Sequence, residues 1–105
     1  MRSGFITEDI VTIHNECCRM LEQLKYTWKS NIIDDNTITY LGENNTHKIY
    51  LLLKQSRNGV VKVTIELDLP VRKIADYEKR KHLESSFLNS LTAFIDKSEP
   101  VFIGV

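Results

Sequence analysis

The segment from His47 to Leu69 constrains the fold of this chain more than any other. Two runs rich in β-branched and aliphatic residues, HKIYLLLKQS and VVKVTIELDL, flank Arg57-Asn58-Gly59. Asn-Gly between such runs is the strongest short signal for a β-hairpin. Register then decides which side is apolar. A two-residue loop on Asn58-Gly59 pairs Leu52 with Ile65 and mixes Lys54 among Val61, Val63, Ile65 and Leu67. A three-residue loop with Gly59 left-handed shifts the pairing by one and sets Ile49, Leu51 and Leu53 beside those residues instead. Side chains alternate across a strand, so the slip exchanges the two faces wholesale. Burial favours the second register, although it sets Lys54 opposite Lys62. Its other face carries Tyr50, Leu52, Lys54, Lys62, Thr64, Glu66 and Asp68. Apolar at every position, Ile49 to Leu53 reads as an interior strand with neighbours on both sides.

The flanking sequence completes an α+β domain. A helix is expected after Thr7, whose hydroxyl can cap it while Glu8 and Asp9 favour the positive end of the dipole. Ile10, Ile13, Cys17, Leu21 and Leu24 recur at helical spacing to form its buried face. Tyr26 to Ile33 has strand and helix character together, and Asp34-Asp35-Asn36 is a turn, so the meander has four strands if that stretch is extended and three if it is not. Thr37 to Leu41 forms the next strand, and residues 42–46 a polar loop. After Asp68-Leu69, Pro70 ends the ladder because it lacks a donor. A second helix is secure from Leu83 to Ile95, on the stripe Leu83, Phe87, Leu88, Leu91, Phe94 and Ile95; the charged stretch from Arg72 to His82 is open. The tail Pro100 to Val105 either adds a short C-terminal strand or reaches a partner. The expected order is a long N-terminal helix, a three- or four-stranded antiparallel meander and a C-terminal helix, all in one domain spanning 1–105.

Composition narrows the function classes. The 105 residues, 42% of them apolar, suffice for one core. Fourteen basic and fourteen acidic residues cancel, which removes bulk charge as a reason to bind nucleic acid or anionic membrane. The start, MRSGFITEDIV, lacks a signal-like apolar stretch, and no apolar run reaches the roughly 20 residues of a spanning helix. The adjacent cysteines, Cys17 and Cys18, cannot staple distant segments. An intracellular location, cytoplasmic or nuclear and away from the membrane, is therefore expected.

The chemistry-bearing constellations are sparse. His14, Cys17 and Cys18 lie three and four residues apart on a helix, but a structural zinc needs four ligands, and His47 or His82 would have to come from elsewhere. Buried cysteines acting as small apolar side chains is the better reading. Asp34 and Asp35 suit a turn, and Glu66 and Asp68 share a strand face with nothing to desolvate one of them. No enzyme activity, metal or cofactor is expected. Arg72, Lys73, Lys79, Arg80 and Lys81 surround the start of the second helix. They suggest a phosphate site built with the free helix amides, although Arg80 with Glu84 at i,i+4 is also the ordinary lacing of a solvated helix face.

The order helix, meander, helix resembles that of double-stranded RNA-binding domains and of small nucleoid-associated proteins. The echoes are Gly42, His47 and Arg72-Lys73 for the first, and Gly59 to Ile65 for the second. It also resembles helix-sheet-helix adaptor domains, which implies docking to other proteins. Apolar residues on both sheet faces favour a non-catalytic interaction module within a homo- or hetero-oligomeric assembly. The expected partner surface is Trp28, Tyr40, Tyr50, Leu52, Phe102 and Ile103. The alternative is a small protein that contacts nucleic-acid phosphates through the basic cluster.

Overall fold

The computed structural model describes residues 2–95 and 101–104, the last two helical residues and the final strand by backbone alone. The order is β1 (Arg2–Ile6), α1 (Ile10–Gln23), β2 (Thr27–Asp34), β3 (Thr37–Glu43), β4 (Lys48–Gln55), β5 (Val61–Asp68), α2 (Ile74–Ile95) and β6 (Val101–Gly104). Six strands form one antiparallel sheet in the order β2-β3-β4-β5-β1-β6. The fold is α+β as expected, and β2 to β5 are the meander in its four-stranded form.

The hairpin adopts the register that burial favours. Leu51 lies opposite Ile65 and Lys54 opposite Lys62. Gly59 has φ +79°, the Ser56 amide donates to the Val60 carbonyl at 2.9 Å, and the Gly59 amide to the Ser56 carbonyl at 3.1 Å. The alternative register would keep Val63 and Ile65 in the core but turn Ile49, Leu51 and Leu53, all 2% exposed or less, toward water at roughly 1.5–3 kcal/mol each. A like-charge cross-strand pair costs about 1 kcal/mol at most, so burial wins.

The N-terminal end departs from expectation, whereas the C-terminal tail takes the strand form that was one of its two expected fates. β1 pairs with β5 from Arg2↔Ile65 to Ile6↔Val61, and an RSGFI stretch with little strand propensity of its own carries no local signal for that. Because β1 runs to Ile6, α1 starts at Ile10 rather than directly after Thr7, with Asp9 as N-cap and no side-chain cap bond. β6 adds a strand outside β1, with Ser3 opposite Ile103 and Gly4 opposite Phe102. The expected helix-meander-helix order is therefore extended by a strand at each end.

Both helices are crossovers, α1 leading from β1 to the far edge at β2, and α2 from β5 past β1 to β6. They pack on the same face. Ile13, Cys17 and Leu21 of α1 and Phe87, Leu88 and Leu91 of α2 join Ile49, Leu51, Leu53, Val61, Val63 and Ile65 in a single buried cluster. Leu24, expected in that stripe, is 51% exposed because the helix ends at Gln23. Gly42 makes room at one end: a Cβ there would stand 2.8 Å from Ile49 Cγ2 and 3.4 Å from Tyr26 Cβ.

Candidate functional site

The face opposite the helices is uncovered by any element in the described residues, and its centre is mixed in character. Leu41, Tyr50 and Leu52 meet there among Lys48, Lys54, Lys62, Glu66 and Asp68. Tyr50 is 40% exposed and Leu52 half-buried. The expected partner surface does not gather on this face. Tyr50 and Leu52 are on it, whereas Trp28 is on the helix side, opposite Gly42 and half-buried against the core. Tyr40 is a correction: it is 3% exposed, since its register opposite Leu51 places it under α1. The side chains of Phe102 and Ile103 lie outside the described residues.

Exposed apolar side chains occur on several elements, Ile74 at the start of α2 the most open; two adjacent ones lie on β2, a stretch whose sequence was ambiguous between helix and strand. Among the described residues it is an outer strand, paired with β3 alone. All its residues are exposed except Trp28, which is half-buried; Ile32 is 66% and Ile33 56% open to solvent. Edge strands are usually guarded by proline, charged side chains (lysine above all), brevity, a bulge or a covering element. Here the run TWKSNIID holds one lysine, and its bulge falls at the far end, between Ile32 and Asp34.

The basic cluster spans the approach to α2 and its second turn. Arg72 and Lys73 precede α2, and Asp76 Oδ2 accepts their amides at 3.0 and 3.2 Å. An acidic side chain in the first turn reaching back to the N-cap amide is half of a capping box, so the seat considered for phosphate already holds a carboxylate. The Arg80 guanidinium lies 5.5 Å from the Tyr77 ring centroid. Glu84, expected on a solvated face, is 2% exposed and accepts the Leu67 amide at 3.0 Å.

Around the cysteines, His14 Nδ1 is 2.5 Å from Tyr40 Oη, and Cys18 Sγ is 3.8 Å from His14 Nε2. Burial and the neighbouring Glu22 push the Cys18 thiol up, and burial does the same for Cys17. Both shifts oppose the thiolate that nucleophilic or ligand chemistry needs. Among the described residues no group of three or more His, Cys, Asp or Glu is placed to hold a metal. No described helix is long and apolar enough to cross a membrane.

A second histidine-tyrosine pair is formed by residues 21 apart and had no sequence signal. Tyr26 Oη lies 2.7 Å from His47 Nε2, and His47 Nδ1 lies 2.7 Å from Thr46 Oγ1. Thr46 donates its hydroxyl proton to Asn44 Oδ1 at 2.9 Å, so it accepts from His47, whose proton is then on Nδ1. Nε2 is left to accept the Tyr26 O–H. Burial, and secondarily Lys79, lower the proton affinity of His47, while burial raises the pKa of Tyr26. The pair stands at one end of a cleft of about 380 Å³ between α1, α2 and the ends of β4 and β5. Comparison with protein-family models, curated proteins and solved structures finds no match to this chain.

Proposed function

We propose that the chain is a non-catalytic protein-interaction module that associates with a second copy of itself through β2. Supporting this is one observation above the rest: an eight-residue outer strand that leaves Ile32 and Ile33 more than half exposed. Unpaired N–H and C=O groups along such an edge are a template for another strand. Antiparallel pairing across a twofold axis is self-complementary. Centred on Ile32, it sets the two Ile32 side chains face to face and joins two sheets into one. Lys29 and Asp34 leave the strand neutral, so two copies meet without net repulsion. The distribution of catalytic groups supports the non-catalytic part, since the thiols are held protonated and His47 is engaged on both ring nitrogens.

Sedimentation equilibrium across a concentration series tests the reading, with Ile32→Lys as the comparison. The wild type is expected to dimerise. The variant is expected to remain monomeric with an unchanged far-ultraviolet spectrum, because position 32 is two-thirds exposed in the single chain. A wild type that stays monomeric at its highest soluble concentration, or a variant that dimerises equally well, rejects pairing through β2.

A further inference from the structure

We propose that the cleft between the end of α1 and the middle of α2 binds a medium-chain carboxylate, with Lys79 as its counter-ion. The volume of about 380 Å³ lies within the range of small-ligand sites, which are mostly apolar with a few placed polar groups. Met20, Leu24, Ile49, Leu67, Leu83 and Phe87 supply the apolar walls. Polar groups stand at the β3-β4 end, where Asn44, Tyr26 and His47 converge.

The sign of the charge follows from α2. Leu83, Ser86 and Ser90 line the cleft, and Lys79 precedes Leu83 by four residues, which sets it on the same helical face one turn nearer the N-terminus. It is close enough to His47 to disfavour a positive charge there. Lys79 therefore stands one helical turn beyond the lining residue Leu83, near a histidine whose proton affinity is lowered. The hydrogen-bond network engages two of the donors there: the Tyr26 proton is directed to His47 Nε2, and the His47 Nδ1 proton to Thr46. An alkyl chain on the apolar walls with an anionic head at Lys79 matches this arrangement, whereas an alkylammonium would meet a like charge.

Two further cavities among the described residues suit such a ligand less well. One of about 360 Å³ beside Lys25, Glu43 and Thr46 has both charges at its rim and only Leu24 as apolar lining. One of about 330 Å³ beside Phe5, Lys54 and Lys62 sits at the hairpin end of the open sheet face. Its wholly apolar lining side chains are Phe5 and Val60.

The experiment is a titration of the isotopically labelled chain with decanoate, 1-decanol and decylammonium, read through backbone amide shifts. Decanoate is expected to saturate, with the largest shifts at Met20, Leu24, Leu83 and Phe87, and to bind about fivefold more tightly than decanol. Lys79→Gln should remove that difference while leaving decanol affinity unchanged. Ser86→Trp, which fills the cleft, should abolish both. Lys79 is exposed, so its replacement does not endanger folding even if the tryptophan variant fails. The proposal is overturned by absence of saturable shifts at the cleft, by decylammonium binding as tightly as decanoate, or by Lys79→Gln retaining the preference for the carboxylate.

Discussion

The Tyr26 amide donates to the Leu21 carbonyl at 3.0 Å, and this bond both ends α1 and aims Tyr26 at the cleft. Together with the Lys25 amide on the Glu22 carbonyl at 3.0 Å, it forms a Schellman motif, in which the first residue past the C-cap takes a left-handed conformation. That residue is Lys25, with φ 64°. A side chain in this conformation costs roughly 1–2 kcal/mol, and glycine forfeits roughly 0.5–1 kcal/mol of unfolded-chain entropy in exchange. Lys25→Gly is therefore expected to stabilise the fold by about 0.5–1 kcal/mol, seen as a thermal midpoint a few degrees higher. Lys25→Val should lower it, and a glycine variant no more stable than wild type contradicts the argument.

What the sequence disclosed was local or periodic. The Asn58-Gly59 turn and the alternation of Val61, Val63, Ile65 and Leu67 placed the hairpin and its register, because burial discriminates strongly between two slips. The stripe from Leu83 through Leu91 likewise marked the buried face of α2. Hidden features depended on distant pairing. Arg2 to Ile6 became a strand only because β5 offers a partner some 60 residues away. Tyr40 read as surface because its apolar ring looks the same whether it meets solvent or α1. The Tyr26-His47 pair joins a helix stop to a loop, and nothing in the spacing of those residues announces it.

Glu84 fills the gap left where the β1 ladder ends. Ile65 is the last β5 residue opposite β1, and two residues on, the Leu67 amide finds Glu84 Oε2 instead of a strand. Leaving a buried amide unpaired costs about 1–3 kcal/mol. Glu84→Ala is expected to lose that much in urea denaturation and to speed hydrogen exchange at Leu67. Glu84→Gln keeps an acceptor of nearly the same reach and should lose markedly less. Equal losses for the two would show that packing, not the hydrogen bond, is what Glu84 contributes.

His47 gives the fold a pH dependence whose sign follows from its surroundings. Burial first, and Lys79 second, hold its pKa below the ordinary 6.5, so the unfolded chain binds a proton there more readily than the folded one. Stability tied to this residue is then complete above about pH 6.5. It declines as the pH falls below that value, and levels off once the folded form is also protonated. Wild type should lose more thermal stability between pH 7.5 and 5.5 than His47→Gln, which cannot take up a proton but can still meet Tyr26 and Thr46. Lys79→Gln removes the second cause, raises the folded pKa toward the ordinary value, and should give a loss between the two. A proton on Nε2 would also force Tyr26 to turn its own O–H away, so the tyrosine amide and ring resonances should shift over the same pH range. If His47→Gln follows the wild-type curve throughout, the acid sensitivity belongs to other groups and the assignment to His47 fails.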